Sequence, residues 1–476
     1  MVETGLANAI VTGIVTGSIV ALGAIGLALV YSIAEVPNFA HGELLMIGAF
    51  VALMVNQPSS LPFFGALATG PQSLGVAGFA VLFLVSSGAT LTIVYFLGGR
   101  EALTGSWWPV DPPPAVGVAG HLLGAAALGG LVVLGFPSLA AAMLFSVLVM
   151  AVIAPVTELA VFRQFRRQGV DLATMLIVAL GLDFVMRFGT QAVFTGSIRS
   201  YEIPDTVSVL GVETALSITR FFDLYLGNGG LVVQVLSGTQ GNPELALVDY
   251  GWPALAAILI ATVGGTVVTY RVRRGQVGEN TASTLSPRLA GLLAGAATLV
   301  ALVLVLAGSG RVPRSPMAST RVSISFVRAL VIVIAFVMMG SLHLLLRETK
   351  LGTAMRAASD NKDLARVTGI DTDRVMMATW VIAGVFAAVA GVMLGILFNV
   401  VSINMGFFLL LPMFAGVILG GIGSVYGAIL GSIGVGIAMD VGIFALDIGA
   451  TYRVPVAFLV LFVVLLVRPE GIAGGS

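Results

Sequence analysis

Long apolar runs, separated by short clusters of charged, proline or glycine residues, dominate the pattern along the chain. About 20 apolar residues are needed for a helix to cross the hydrocarbon core of a bilayer, and the run "LANAIVTGIVTGSIVALGAIGLALVY" (6–31) meets that length. Several other runs are shorter. The runs predict helices near residues 6–33, 39–55, 74–98, 117–136, 139–161, 172–195, 250–270, 289–307, 324–346, 375–398, 407–423, 425–446 and 454–467. We therefore predict an all-α integral membrane protein, a polytopic bundle of roughly 10–13 transmembrane or re-entrant helices.

The composition agrees with this fold class. Hydrophobic residues make up 58% of the chain and charged residues only 10%, against roughly 25% charged residues in soluble domains. The 60 glycines favour helices that pack closely through small residues. The chain has no cysteine, which excludes disulfides and thiolate metal sites, and its zero formal charge does not indicate nucleic-acid binding. Because the first residues carry an acid and precede no small-residue cleavage site, we expect no cleaved signal peptide.

Basic residues predict the orientation of the helices, because cytoplasmic loops of membrane proteins are enriched in lysine and arginine. Placing "RQFRRQ" (163–168), "RVRR" (271–274) and the charged loop 347–374 on the cytoplasmic side leaves an even number of predicted helices between them. This arrangement puts the N-terminus outside and the C-terminus in the cytoplasm. It also makes residues 196–249, which are polar and rich in turn formers, an extracytoplasmic segment.

The one strongly charged loop is "RETKLGTAMRAASDNKDLARVTGIDTDR" (347–374). Its alanine, leucine, methionine and arginine residues favour helix, Asp360 and Asn361 suit an internal cap, and Gly369 suits a helix end. We predict one or two short helices on the cytoplasmic face, with a solvated connector as the alternative. Small residues favour a docking surface, because they let a partner approach the backbone. These residues are Ala357, Ala358 and Ala365.

The stretch "VPNFAHGELLMIGAF" (36–50) places polar residues between two apolar runs. Pro37 ends the first helix, and Asn38 is suited to cap the next helix through its side chain. Glu43 then lies in the first turns, where the helix dipole favours an acid and where solvation at the membrane surface is an alternative. A break inside the bilayer must instead line a cavity, which predicts a translocation pathway or gate. His41 and Glu43 point to different helix faces and do not predict a metal site.

Asp183 and Arg187 lie four residues apart in the helix predicted at 172–195, so their side chains share one face. We predict an ion pair within the membrane, since an unpaired charge is costly there, with a proton relay as the alternative. Asp440 also lies in an apolar helix, where a cavity or a sister subunit is expected beside it. Three scattered histidines and the lack of cysteine disfavour an intramembrane enzyme, so no catalytic residue, metal or cofactor is predicted.

Four ordered blocks carry a family resemblance. They are "GSIVALGAIGLALVYSIAEVPNFAHGELLMIGAF" (17–50), "LGTAMRAASDNKDLARVTGIDTDRVMMATWVIAGVFAAVAGVMLG" (351–395), "LGGIGSVYGAILG" (419–431) and "LVRPEGIAG" (466–474). In these blocks the chain resembles the permease subunits of branched-chain amino-acid ABC importers of the Liv type. The resemblance implies a multi-pass protein of the cell membrane, plasma or inner. It also implies the following partners: two ATP-binding subunits, a sister permease in a hetero- or homodimer, an extracytoplasmic solute-binding protein and the lipid bilayer.

The positions of the lysines support the assignment of ATP hydrolysis to other subunits. Lysine occurs only at positions 350 and 362, and neither completes a "GxxxxGK" phosphate loop, so ATP hydrolysis is expected on partner chains. The resemblance implies a pathway or gate set formed by Asn38, His41, Gly42 and Glu43. It also places the family's ATPase-docking motif on 354–370, with its recurring glycine at Gly369. The implied coupling residues are Arg356, Ala357, Asp360, Asn361, Asp363, Ala365, Arg366 and Gly369.

The chain departs from the family pattern by its extra helices. Members of the family usually have eight or so helices, whereas the helices near 74–136 and 250–307 resemble two inserted pairs within a single permease domain, 1–476. Related permeases import urea, sugars or nucleosides, so another small solute is the alternative to a branched-chain amino acid. An ion-coupled secondary transporter is a further alternative, which the charged loop disfavours because such a carrier needs no ATPase-docking surface.

Overall fold

The computed structural model describes residues 2–34, 38–62, 64–104, 114–203, 208–209, 212–213, 221–227, 230–236, 244–276, 287–306, 308–309 and 319–467. Pro37, which is expected to end the first helix, and residues 468–476, which are expected on the cytoplasmic side, lie outside this part of the chain.

The described residues form sixteen α-helices. They are α1 Val2–Ala34, α2 His41–Asn56, α3 Val76–Leu103, α4 Pro114–Leu134, α5 Leu139–Thr157, α6 Arg163–Arg167, α7 Leu172–Phe194, α8 Trp252–Gln276, α9 Pro287–Val305, α10 Phe326–Glu348, α11 Lys350–Asp360, α12 Lys362–Val367, α13 Thr372–Phe398, α14 Met405–Gly420, α15 Val425–Leu446 and α16 Arg453–Val467. A π-helical turn, Glu158–Phe162, joins α5 to α6. Each of the thirteen predicted helices coincides with one of these helices. The two short helices predicted in the charged loop are α11 and α12.

Nine helical segments of the described chain are long and apolar enough to cross a membrane. The predicted fold class is therefore confirmed: the chain is a multi-pass, predominantly α-helical membrane protein. Among the shorter apolar helices, α2 and α14 have 16 residues each. At 1.5 Å per residue each is about 24 Å long, which is less than the roughly 30 Å of the hydrocarbon core.

The strands within the described residues are β1 Ala68–Gly70, β2 Ser73–Leu74, β3 Ser208–Val209, β4 Val212–Glu213, β5 Phe221–Gly227, β6 Gly230–Leu236, β7 Glu244–Gly251, β8 Gly308–Ser309 and β9 Ser319–Ser325. Five of them form an antiparallel sheet in the order β8-β7-β6-β5-β9. This sheet is not predicted by the sequence, in which 196–249 is a polar segment rich in turn formers. The strands are short, and β5 pairs with β9 from much later in the chain, so no local periodicity shows the partner.

The chain divides into two compact units. The smaller unit comprises residues 1–11, 204–330 and 343–349, and it contains the five-stranded sheet and the antiparallel helix pair α8–α9. The larger unit comprises residues 12–203, 331–342 and 350–476. Its centre is formed by α2, α5 and α13, which pack on one another, and most residues of α2 and α13 are buried there.

Glycines bring the helices of the larger unit into backbone contact, as the composition predicts. A Cβ atom added to Gly42 of α2 would lie 2.7 Å from the backbone oxygen of Gly406 in α14. A Cβ atom on Gly17 of α1 would lie 2.8 Å from the Cα atom of Ile433 in α15. No side chain fits at either position without moving a neighbouring backbone. The first crossing holds the start of α2 against α14, and the second holds α1 against α15.

Candidate functional site

The start of α2 is fully enclosed by protein. Asn38, His41 and Glu43 each expose 1% or less of their surface. The predicted cap is wrong, because the helix begins after Ala40 and the Asn38 side chain makes no capping bond within the described chain. The backbone carbonyl of Asn38 instead accepts a bond from the His41 N–H, at 3.2 Å. The side-chain amide of Asn38 is left buried without a hydrogen-bond partner among the described residues.

His41 is held by a notch on the surface of α1. Its Nε2 atom lies 3.0 Å from the carbonyl oxygen of Gly23, so the ring donates from that nitrogen. A Cβ atom on Gly26 would lie 2.6 Å from the His41 Cε1 atom. Gly26 therefore makes room for the imidazole, and the Gly23 carbonyl fixes its orientation.

Glu43 contacts Arg187 of α7, so the predicted pathway residue and the predicted membrane ion pair belong to one site. The Nε and Nη2 atoms of Arg187 lie 3.0 and 2.6 Å from Glu43 Oε1. Arg187 Nη2 also lies 3.0 Å from Asp183 Oδ2. The alternative of a solvated Glu43 is wrong, since this side chain has no exposed surface. We call Glu43, Asp183 and Arg187 the carboxylate–arginine cluster.

The cluster lies deep along α7. This helix begins after Asp171, whose carboxylate accepts a hydrogen bond from the Thr174 hydroxyl. That bond holds the pKa of Asp171 below its usual range, so an ionised, exposed residue marks the start of the helix. Asp183 is the twelfth residue of α7, about 16 Å from its start at 1.5 Å per residue. This distance is near the middle of a hydrocarbon core about 30 Å thick.

The charges of the cluster do not balance when all three groups are ionised. Two carboxylates share one guanidinium, and Glu43 Oε2 has no hydrogen-bond partner among the described residues. Phe407 of α14 covers the guanidinium, with its ring centre 4.7 Å from Arg187 Cζ. A surplus negative charge in a site of low polarity favours an added proton or a cation. The arrangement is thus suited to hold positive charge at the start of α2.

A second polar cluster lies where α1, α15 and α16 meet. Asp440 accepts a hydrogen bond from Thr16, at 2.8 Å, and forms an ion pair with Arg453, at 2.9 Å. Sequence reasoning singled out Asp440 and missed both partners. Arg453 begins an apolar helix, which is an unusual place for a charge, but only the fold shows the carboxylate opposite it.

The charged helices α11 and α12 turn one face toward the protein. Met355, Ala358 and Ala365 are buried, and both helices pack on α13. For Ala358 and Ala365 the expectation that small residues let a partner approach is therefore wrong, because they pack against their own chain. Ala357 is half-buried. The remaining predicted coupling residues are exposed: Arg356, Asp360, Asn361, Asp363, Arg366 and Gly369.

Both ends of α12 are fixed by local hydrogen bonds. Asn361 caps the start, since its side-chain oxygen accepts the N–H of Leu364 at 2.9 Å. At the end, the N–H groups of Gly369 and Ile370 bond to the carbonyls of Arg366 and Ala365, and Gly369 has a φ of 91°. This pattern is a Schellman motif, which favours glycine at that position. Two large apolar side chains, Leu364 at 61% and Val367 at 84%, are exposed between these ends.

A groove of about 840 Å³ lies beside α12. Its walls come from α3, the α5–α6 junction, α12 and the start of α13, and charged side chains dominate them. An ion pair joins Arg163 to Asp373 at 2.9 Å across the groove. Arg366 donates to Thr372 at 3.1 Å. The groove therefore connects the exposed surface of α12 to the first turn of α13.

Comparisons with known proteins agree with the sequence pattern. Residues 9–97 and 172–467 match the family described as the permease component of the branched-chain amino acid transport system. Among curated proteins, the chain is 38% identical over 152 residues to the high-affinity branched-chain amino acid transport system permease protein LivH of Escherichia coli K12, covering 32% of this chain and 49% of the relative. BraD of Pseudomonas aeruginosa is 38% identical over 154 residues, with the same coverage. A probable LivH of Methanocaldococcus jannaschii is 30% identical over 156 residues, covering 32% of this chain and 48% of the relative.

The alignments span about half the length of these curated relatives. No solved structure matches the fold. The family match leaves out residues 98–171, a stretch that overlaps the predicted first insertion at 74–136 without coinciding with it. Because the match covers most of the chain, this protein belongs to the family of branched-chain amino acid transport system permease components.

Proposed function

We propose that the chain is the permease subunit of an ABC importer for branched-chain amino acids. Family membership carries this proposal, and the names of the relatives LivH and BraD support the solute class. The chain works with two ATP-hydrolysing subunits, a sister permease and an extracytoplasmic solute-binding protein. It forms the translocation pathway, and the partner chains hydrolyse the ATP.

The helices α11 and α12 couple the chain to an ATPase subunit. They lie between α10 and α13 in the sequence, and α12 exposes Leu364 and Val367 on a charged segment. Exposed apolar residues surrounded by charges are typical of a protein interface. Since both helices pack on α13, a rigid displacement of the ATPase subunit tilts α13. This coupling opens and closes the pathway.

The pathway passes the start of α2. The start of a short helix inside the larger unit carries Asn38, His41, Gly42 and Glu43, and Glu43 forms an ion pair with Arg187 of α7. Buried polar groups without partners, such as the side chain of Asn38, are expected at a position that exchanges partners during transport.

The chain lies in the inner or plasma membrane with its N-terminus outside and its C-terminus in the cytoplasm. This orientation puts α11, α12 and the charged groove on the cytoplasmic side, where the ATPase subunits act. We infer one permease domain that carries two inserted helix pairs. The packing of α3 on α4 and of α8 on α9 supports the pairing of the added helices.

Reconstitution tests the proposal. The chain is co-expressed with a sister permease and two ATPase subunits of the same importer, and the complex is placed in liposomes with the importer's solute-binding protein. We expect uptake of leucine, isoleucine or valine that requires ATP on the ATPase side. Uptake of urea, a sugar or a nucleoside instead would reject the solute class. Uptake driven by an ion gradient without ATP would reject the ABC mechanism.

A further inference from the structure

An apolar pocket of about 660 Å³ lies between α1, α13, α14 and the start of α16. Aliphatic and aromatic side chains form most of its wall, among them Leu394, Leu397, Phe398 and Leu411. Sites for small molecules are commonly cavities of roughly 300–1,000 Å³ with apolar walls and a few polar groups. This pocket has that size and composition.

The polar corner of the pocket is formed by Thr16 and Arg453. Asp440 lies behind them and holds both, through a hydrogen bond of 2.8 Å from Thr16 and an ion pair of 2.9 Å with Arg453. The Arg453 side chain keeps 26% of its surface exposed, and its Nε atom, which is itself buried, has no hydrogen-bond partner among the described residues. A guanidinium that is fixed by a buried carboxylate and still has an unused donor is suited to bind a second carboxylate.

The partial charges at helix ends give the pocket one side that favours a cation and one side that favours an anion. The last turn of α13, with Leu394, Leu397 and Phe398, lines one side, and the carbonyl end of a helix favours a cation. The first turns of α14 and α16, which begin at Met405 and Arg453, line another side, and the amide end of a helix favours an anion. A ligand with an ammonium and a carboxylate matches both sides.

We propose that this pocket binds an L-α-amino acid with an aliphatic side chain. Arg453 contacts the carboxylate of the ligand, the end of α13 receives the ammonium, and the aliphatic side chain packs on Leu394, Leu397 and Leu411. Asp440 is a positioning residue that holds Arg453. The identity of the ligand rests on the proposed function, whereas the location of the site rests on the pocket.

The pocket shares a wall with the carboxylate–arginine cluster. Phe407 lines the pocket and lies over the Arg187 guanidinium at 4.7 Å. The bound amino acid therefore lies on one side of the Phe407 ring, and the carboxylate–arginine cluster lies on the other side.

Protection from thiol labelling tests the site in the full, liposome-reconstituted importer, because the chain has no cysteine of its own. Ser402 lines the pocket, so S402C is labelled with a charged, membrane-impermeant maleimide. L-leucine at about ten times its Kd leaves about a tenth of the sites empty, and labelling is then expected to slow about tenfold. Glutamate is expected to give no protection. The matched control is S197C, at an exposed serine outside the pocket, whose labelling leucine leaves unchanged.

Two leucine fragments locate the ends of the ligand. We expect 4-methylpentanoate, which keeps the carboxylate, to protect S402C more strongly than isopentylamine, which keeps only the amine. Combining R453Q with D440N removes both charges and leaves no buried ion unpaired, and we expect it to weaken protection by leucine at least about tenfold. L411W, which fills the pocket without changing its charge, is expected to have the same effect.

A wrong pocket assignment and a wrong proposed function give different experimental results. If the complex transports leucine but leucine does not protect S402C, or protects it equally in the R453Q/D440N and L411W variants, the pocket assignment is wrong. Labelling only by a lipid-soluble maleimide shows a lipid-filled groove and likewise rejects it. If S402C reacts with neither reagent in the complex, a partner subunit covers the pocket and the proposal fails. If the wild-type complex transports no aliphatic amino acid, the proposed function fails instead.

Discussion

At the scale of single residues, the carboxylate–arginine cluster has one more carboxylate than its arginine needs. Either Glu43 or Asp183 alone leaves Arg187 with a partner, at 2.6 or 3.0 Å. Glu43→Gln and Asp183→Asn are therefore each expected to change the free energy of unfolding by less than about 1 kcal/mol. The double variant leaves a buried, unpaired guanidinium and is expected to destabilise the protein by about 3–5 kcal/mol.

Thermal melting of the purified chain in detergent measures this non-additivity. Adding Arg187→Met to the double variant removes the unpaired charge and is expected to restore most of the melting temperature. Small, additive effects in all variants would show that the cluster is solvated and carries no surplus charge.

Gly369 is the residue at which a backbone requirement is clearest. Its φ of 91° lies in a region that costs other residues about 1–2 kcal/mol, although no described atom lies within 4 Å of an added Cβ. Gly369→Val is expected to disrupt the end of α12 and to abolish ATP-dependent uptake while the chain stays folded and paired with its sister permease. Gly369→Asn is the matched control, since asparagine tolerates this conformation. Equal uptake by the two variants would contradict a role for this turn in coupling.

Local residue signals were predictable, and long-range partners were not. The cap at Asn361 and the helix end at Gly369 follow from residue types within a few positions. The contact of Arg187 with Glu43 joins residues far apart in the chain, and hydropathy contains no information about it. The Asn38 cap was predicted wrongly because the helix starts after Ala40 and leaves the amide too far away.

At the scale of elements, the crossing of α2 with α14 depends on the absence of two side chains. A Cβ atom on Gly42 would lie 2.7 Å from the Gly406 carbonyl oxygen, and a Cβ atom on Gly406 would meet the Gly42 carbonyl in turn. We expect Gly42→Ala and Gly406→Ala each to destabilise the chain by about 1–3 kcal/mol through overpacking. Thermal melting with and without the sister permease measures the effect.

The control positions are two other helical glycines. Gly88 of α3 and Gly124 of α4 have no described atom within 4 Å of an added Cβ. Alanine there is expected to leave stability unchanged or to raise it by up to about 1 kcal/mol, because alanine favours helix more than glycine does. If all four alanine variants melted alike, the close contact of α2 and α14 would not hold the helices together.

Element types were predictable where the pattern was long. Apolar runs predicted all thirteen of the longer helices, since a membrane span imposes both length and hydropathy. The five-stranded sheet was missed because its strands are at most eight residues long and its outer strands come from after α9. Even at α2 the sequence predicted the break but not its surroundings, which are α1, α7 and α14.

At the scale of the whole molecule, the surface of α12 is where a partner subunit is expected to act. Leu364 and Val367 expose 61% and 84% of their surface on a segment that otherwise carries charges. Burying two large apolar side chains in an interface contributes enough free energy to determine the affinity, whereas charges at its edge mainly change the association rate. The charges concerned are Arg356, Asp360, Asp363 and Arg366.

The apolar centre and the charged edge of the α12 surface are expected to contribute differently to assembly with the ATPase. The double variant Leu364→Ser/Val367→Ser is expected to lose the ATPase subunit on purification, since a loss of about 2 kcal/mol or more weakens binding about 30-fold or more. Arg356→Gln is expected to keep the ATPase at low salt and to reduce the salt dependence of assembly. The matched control is Val76→Ser, at an 88% exposed valine at the start of α3. Because Leu364 and Val367 contribute little to the fold, melting temperatures of the free chain should agree with that of the wild type. If the serine double variant kept its ATPase and its ATP-dependent uptake, α12 would be a solvated connector, and the ATPase would have to dock on another part of the cytoplasmic face.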